Sequence, residues 1–182
     1  SRYDFRGRNA ILMGILLVYM FPAVLLMIPL YVIFRDVGLI DNPLGIMLAH
    51  CTTTVPYTIW TLAGFFDTLP HELEEAAMVD GSRRLEAFLR VILPLSLPGI
   101  AATTIFITTV SWIEYLYALL LTTGAEMRTL PVAIQMFLGG EASVQWGLLS
   151  AASVVTVIPV LIVFAFVQRQ FISGLATGAV KG

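Results

Sequence analysis

From Ala10 to Phe34 the chain runs without a charged side chain. A helix needs about 20 mostly apolar residues to cross a hydrocarbon core about 30 Å thick. Inside that core the chain must satisfy its own backbone N–H and C=O groups, which favours helices. Three further runs follow, Pro43 to Phe66, Leu95 to Leu121 and about Trp146 to Val167. Only 12% of the residues are charged and 58% are hydrophobic, against about 25% charged in an ordinary soluble domain. The expected fold class is all-α, a polytopic transmembrane helical bundle. Its spans lie at about 10–34, 43–66, 95–121 and 146–167, in one transmembrane domain over 1–182.

Net charge is −2, so the electrostatic footprint of a nucleic-acid binder is missing. Cys51 is the single cysteine, which excludes an intrachain disulfide and a cysteine-based zinc site. The sequence begins at Ser1 with a polar, basic stretch that lacks a signal-peptide pattern. An N-terminally truncated fragment is the expectation. Eight of the ten basic residues fall on one side of the four runs: Arg2, Arg6 and Arg8 in the arm, Arg83, Arg84 and Arg90 between the second and third runs, Arg169 and Lys181 in the tail. Arg35 and Arg128 fall on the other. The positive-inside tendency then puts the arm, the 67–94 loop and the tail in the cytoplasm of a plasma membrane. Pro22 and Pro29 should kink the first span. The second span carries His50, Thr52, Thr53, Thr54, Thr58 and Thr61, residues that favour helix packing or a water-lined cavity over lipid.

The main charged interruption is Asp67 to Pro94. It reads as a helical hairpin. The first arm runs roughly from Leu69 to Asp80, capped by Asp67 or Thr68. Gly81 supplies a left-handed turn. A second helix starts at a Ser82 cap, runs toward Val91 and is stopped by Pro94.

Glu75-Ala76-Ala77, then Gly81, then Leu93-Pro94 resembles the EAA loop of membrane permease subunits in ATP-binding-cassette importers, with Val91 where isoleucine is usual. Phe21-Pro22-Ala23-Val24, Ser111-Trp112-Ile113-Glu114-Tyr115, Thr129-Leu130-Pro131-Val132 and the tail Gly178 to Gly182 are similar to the carbohydrate-uptake branch, in particular the second permease subunit of maltose-type systems. Such permeases usually have six spans, and this chain resembles the last four. The resemblance implies a type I importer fold in a bacterial or archaeal plasma membrane. Its expected partners are a pair of ATPase subunits, a second permease and an extracytoplasmic binding protein, with a sugar or oligosaccharide as cargo. It also implies that the hairpin is a coupling helix docking on the ATPase, with Glu74, Glu75, Ala76, Ala77, Asp80, Gly81, Leu93 and Pro94 as its coupling residues.

The residues themselves fit a docking surface. Ala76 and Ala77 permit close approach, Glu74, Glu75 and Asp80 offer carboxylates to arginines of a partner, and Leu73, Met78 and Val79 form an apolar anchor. The bland reading is an interfacial amphipathic loop, with Arg83 and Arg84 serving lipid phosphates or topology.

Glu114 is the one acid inside a predicted span. It lies sixteen residues past Pro98, about 24 Å along a helix. An intramembrane carboxylate is a functional hypothesis by default. Glu114 either lines a translocation path with Tyr115 and Trp112 or bonds a neighbouring helix. Trp112, Tyr115 and Tyr117 also suit an interfacial aromatic belt. His50 and Cys51 lack the third group that a nucleophile–base pair needs, so both are expected to pack. Gly139, Gly140 and Glu141, in the longest loop, either reach toward the binding protein or form a plain connector. No Gly-x-x-x-x-Gly-Lys-Ser/Thr loop occurs. The expectation is a transport subunit rather than an enzyme, with no catalytic residue, no metal and no cofactor. The rival class is a self-sufficient channel or ion-coupled carrier, for which Glu114 is the one available intramembrane charge.

Overall fold

The computed structural model describes residues 2, 3, 5–136, 138 and 145–179, with 169–179 described by backbone alone. The described residues are all-α, without a strand. Helix α1 (Arg8–Met20) leads to α2 (Ala23–Asp36) and the long α3 (Pro43–Thr68). The hairpin comprises α4 (Glu72–Val79), α5 (Arg84–Ala87), a π-helical turn (Phe88–Ile92) and α6 (Leu93–Leu95). Then come α7 (Leu97–Trp112), α8 (Leu116–Leu121), α9 (Leu130–Met136) and α10 (Trp146–Ala179).

The first predicted span is two helices meeting at 93°. Pro22 has no N–H to continue α1 and takes an extended conformation, φ −60° and ψ 120°. Pro29, by contrast, stays inside α2. Helix α3 starts as an Asn-Pro sequence should: Asn42 accepts from the Leu44 N–H at 3.0 Å, and Pro43 occupies the first turn. Asp67 and Thr68 do not cap the hairpin. They are the last residues of α3, and the Thr68 hydroxyl donates back to the Phe65 carbonyl.

Pro94 does not stop its helix. The turn before it widens to π geometry over Phe88–Ile92, and the chain stays helical through Leu95. Proline removes one donor and crowds the preceding turn, and a π turn is one of the few ways a helix absorbs such a local defect. The real corner is one turn later, where Arg84–Leu95 meets Leu97–Trp112 at 66°. The third predicted span is also broken at its far end, between Trp112 and Leu116.

Helix α10 continues past the predicted Val167 boundary to Ala179. Among the described residues one helix is on its own long and apolar enough to cross a membrane, Trp146–Gln168, with mean hydropathy 2.5. Two bent pairs, α1 with α2 and Arg84–Leu95 with α7, meet the same test jointly.

Helix α10 lies along α7, and α1 and α7 both pack on α3. Tyr57 of α3 stacks on Phe106 of α7 at 4.1 Å between centroids, and Tyr19 of α1 closes on Tyr57 at 6.0 Å. Gly99 permits the α3–α7 crossing: a Cβ there would run into the Phe65 ring. At the other end Phe34, Ala49, Tyr117 and Leu121 form a buried core with Met27, Leu30 and Leu39. Tyr117 is therefore a core residue and not part of an interfacial belt.

Candidate functional site

The hairpin is built by helix-end chemistry. Helix α4 has no side-chain cap at His71. Instead Glu72, Glu74 and Glu75 crowd its first turn, where carboxylates meet the positive end of the helix dipole. At the other end Gly81 takes φ +93°. The Gly81 N–H donates to Met78 O and the Ser82 N–H to Ala77 O, both at 3.1 Å. This is a Schellman ending. The expected Ser82 cap is displaced by one residue: Arg83 is the N-cap, and its N–H donates to the Glu86 carboxylate at 3.0 Å.

The sequence-predicted coupling residues do not share one face. Glu74 is buried, with 4% of its surface exposed, and Arg84 Nε stands 3.5 Å from its Oε1. Its carboxylate braces the two arms. Glu75, Ala76 and Asp80 are exposed, Ala77 is half-buried, and Gly81 lies open at the turn. Val79 is 87% exposed and Leu85 64%, so apolar side chains stand out beside the acids. Leu93 is half-buried and Pro94 exposed.

Sequence reasoning missed a strap that holds this hairpin. Arg2, nearly buried, donates to Leu69 O at 2.8 Å and reaches Pro70 O at 3.5 Å. The Tyr3 ring lies 4.6 Å beneath the Arg84 guanidinium, a cation–π contact. Arg8 pairs with Asp67 at 3.5 Å. Phe66 meets Phe88 at 5.9 Å. The carbonyls at Leu69 and Pro70, just past α3, lack intrahelical donors, and a guanidinium fork suits them. Nothing in the spacing of Arg2 from Leu69 announces this.

A second cluster lies toward the opposite end. Glu114 is not within a helix as expected but in the break, where Oε1 accepts from the Tyr117 N–H at 2.8 Å and Oε2 from the Ala118 N–H at 3.1 Å. It therefore starts α8. His50 Nε2 of α3 is 3.4 Å from Glu114 Oε2, so His50 does more than pack, while Cys51 is exposed. Trp112 donates its indole N–H to Thr156 O of α10 at 2.9 Å. A cavity of about 270 Å³ opens here, lined by His50, Ser111, Trp112, Glu114 and Thr129. Tyr115 is half-buried beside the break and does not line it. Gly139, Gly140 and Glu141 lie outside the described residues.

Beyond this cluster, Asp41 ties two loops together. It has φ +52°. Its Oδ1 accepts from the backbone N–H of Thr123 at 2.6 Å and of Gly124 at 2.9 Å, its Oδ2 accepts from the Thr123 hydroxyl, and its own N–H donates to Leu121 O. The Thr123 hydroxyl, followed by the Gly124 N–H, holds the Asp41 carboxyl below its ordinary value.

Comparison with known proteins agrees with this architecture. Residues 1–176 match the family described as "Binding-protein-dependent transport system inner membrane component". The chain is 40% identical over 184 residues to the diacetylchitobiose uptake system permease protein DasC of Streptomyces coelicolor, covering all of this chain and 66% of that protein. It is 36% identical over 182 residues to the trehalose/maltose transport system permease protein MalG of Thermococcus litoralis, again covering all of this chain and 66% of the relative. The chain thus spans just under two thirds of the length of these curated relatives. In three dimensions it is similar to a chain in the crystal structure of a bacterial ABC transporter involved in the import of the acidic polysaccharide alginate. That match has a TM-score of 0.73 and 27% identity, and covers 92% of this chain and 63% of that one. An all-helical chain with a glycine-turned EAA hairpin, matched over nearly its whole length, belongs to the family of binding-protein-dependent transport system inner membrane components.

Proposed function

We propose that the chain is the membrane-crossing part of a permease subunit in an ATP-driven importer of a sugar or oligosaccharide. The observation that carries this reading is the hairpin. Its tip is fixed by the Gly81 turn and braced internally by Glu74 and Arg84. It presents Glu75, Ala76, Val79, Asp80 and Leu85 outward. Exposed apolar side chains beside free carboxylates suit a cleft on an ATPase subunit with arginines at its rim. Glu74 serves inside the hairpin, while Glu75 and Asp80 meet the partner.

The bent α1–α2 pair counts as one traverse, α3 at about 39 Å is long enough for another, α7 with α8 beyond its break makes the third, and α10 makes the fourth. The strap and hairpin share one end of the bundle, and the Asp41–Thr123 tie marks the other, which suits two even pairs of crossings. The hairpin end is cytoplasmic, in a bacterial or archaeal plasma membrane, and the Asp41 end faces the binding protein. A second permease and an ATPase pair complete the assembly, and ATP-driven closure of that pair moves the hairpins and rocks the packed helices. The sugar names of the relatives support the cargo class.

The test is co-purification of the full-length subunit with its ATPase and measurement of substrate-stimulated ATP hydrolysis, for wild type, Glu75→Lys and Gly81→Asp. Loss of association or of stimulation in a variant still inserted in the membrane is the expected result. Unchanged association and stimulation in both variants would remove the coupling role.

A further inference from the structure

We propose that the cavity between α3, the α7–α8 break and the start of α9 is a subsite for one neutral sugar ring on the entry side of the path. The proposal rests on the importer reading above and deepens it by assigning the ring chemistry and the side chains. Two of the residues that line this one cavity each carry a buried polar atom without a hydrogen-bond partner, His50 Nε2 and Thr129 Oγ1. Glu114 Oε2, although 3.4 Å from the imidazole, does not satisfy it in hydrogen-bond geometry. Orphaned buried polar atoms are costly, and natural structures keep few of them. Here both belong to residues that line a volume of about 270 Å³. That is many times the roughly 30 Å³ share of one water, and just under the roughly 300 Å³ where pockets for drug-sized ligands begin. The size fits a single ring.

The chemistry of the lining selects the ring. Sugar hydroxyls need acceptors as well as donors. Glu114 has lone pairs beyond those given to Tyr117 and Ala118. An adjoining cavity of about 390 Å³ shares Ser111 and Trp112 and adds Thr54 and Thr108. The Thr54 hydroxyl donates to His50 O at 2.8 Å, and the Thr58 hydroxyl to Thr54 O at 2.7 Å. A hydroxyl that donates to its own helix keeps its lone pairs for an incoming O–H. His50, Thr54 and Thr58, four residues apart, follow one face of α3 toward the hairpin. The Trp112 indole is fixed at its edge by Thr156 and supplies an apolar wall. Among the described residues no lysine or arginine lines either cavity, and the Arg128 guanidinium donates to Met136 Sδ at 2.8 Å. An acidic ring would set its carboxylate against Glu114 without a compensating cation, so the subsite rejects uronates.

The test uses the assembled transporter with its ATPase, second permease and binding protein in proteoliposomes. Initial uptake of labelled maltose, trehalose and diacetylchitobiose, and of a uronate-containing disaccharide, is compared for wild type, Thr129→Val, His50→Leu and His50→Gln. Wild type should take up at least one neutral sugar and exclude the uronate. For that sugar Thr129→Val and His50→Leu should lower kcat/KM about tenfold, the equivalent of one lost hydrogen bond of about 1.4 kcal/mol. His50→Gln, which keeps an amide near the same position, should restore most of it. A second readout is labelling of Thr129→Cys by a thiol reagent in a Cys51→Ser background, which the transported sugar should slow severalfold. Sugar uptake by Thr129→Val and His50→Leu equal to wild type, or labelling that sugar leaves unchanged, overturns the subsite and leaves the importer reading standing. Preferential uptake of the uronate also overturns the subsite. Wild type that imports a cargo other than a sugar and none of these sugars overturns the sugar-importer reading itself.

Discussion

Arg2 and Leu69 are 67 positions apart in the chain, and the Arg2 guanidinium donates to the Leu69 carbonyl at 2.8 Å. That bond fixes the entry of the hairpin to the segment preceding α1. Arg2→Ala should uncover the Leu69 and Pro70 carbonyls and weaken the hairpin by about 1.5–3 kcal/mol, the usual worth of a hydrogen bond to a charged group. Amide exchange over 69–80 would report it. Faster exchange there, with exchange in α10 unchanged, is the expected pattern.

Arg84 and Glu74 give an asymmetric prediction. Arg84→Ala leaves a nearly buried carboxylate without its cation and also removes the ring contact with Tyr3. Glu74→Gln leaves an exposed arginine that water can solvate. The first should cost more than the second, by about 1–3 kcal/mol, the penalty for a buried polar group left unmatched. Protease susceptibility of the hairpin in the two variants measures the difference, and equal susceptibility would contradict the burial of Glu74.

Gly99→Ala drives a methyl into the Phe65 ring at the α3–α7 crossing. Overpacking of this kind costs about 1–3 kcal/mol. The double variant Gly99→Ala, Phe65→Leu should recover part of that loss. A thermal melt of these two variants and of Phe65→Leu alone decides it, since additive losses would mean the two residues do not touch.

Asp41 carries a pH signature. Its folded value lies below the unfolded one, chiefly through the Thr123 hydroxyl and then the Gly124 N–H. Its contribution is therefore fully present above the unfolded value, near 3.8, and is lost as pH falls through the lower folded value. Asp41→Asn keeps a side chain tolerant of positive φ but cannot be ionised. The melting temperature of wild type should fall more than that of Asp41→Asn between neutral pH and pH 3. Parallel curves would show that the loop tie does not titrate.

Gly81→Val should lower hairpin stability by about 1–2 kcal/mol, because a β-branched side chain is strained at φ +93°. Gly81→Asn should cost less. Association with the ATPase, compared between these two, separates turn geometry from the loss of glycine as such.

What could be read from the sequence depended on whether the cause was local. Gly81 was legible, because a left-handed residue between two helical patterns is a one-residue requirement. Pro22 was legible as a kink, but not its 93°, which depends on where α2 finds its core around Phe34 and Tyr117. Pro94 misled, since local chemistry says stop and the π turn before it absorbs the defect. Glu114 misled too: an apolar run around one acid reads as continuous helix, and only the two N–H groups at Tyr117 and Ala118 reveal a new start. Glu74 looked like its neighbour Glu75 until the return of Arg84 showed which acid faces inward. The strap from Arg2 and the meeting of His50 with Glu114 join residues with no shared period, so they follow from packing alone. The docking of the hairpin on a partner depends on a surface outside this chain.

The π turn at Phe88–Ile92 has a geometric consequence downstream. One residue more in a turn sets the later side chains on that axis, up to the corner before α7, back by roughly 100° relative to an unbroken α-helix. The hairpin arm and the helix that follows it are therefore out of angular phase, like two gear wheels keyed to one shaft with an offset. Removing a single residue from the π turn would close it to α geometry with the buried Ser96 still facing the interior, whereas the same deletion in an unbroken α turn would swing Ser96 away.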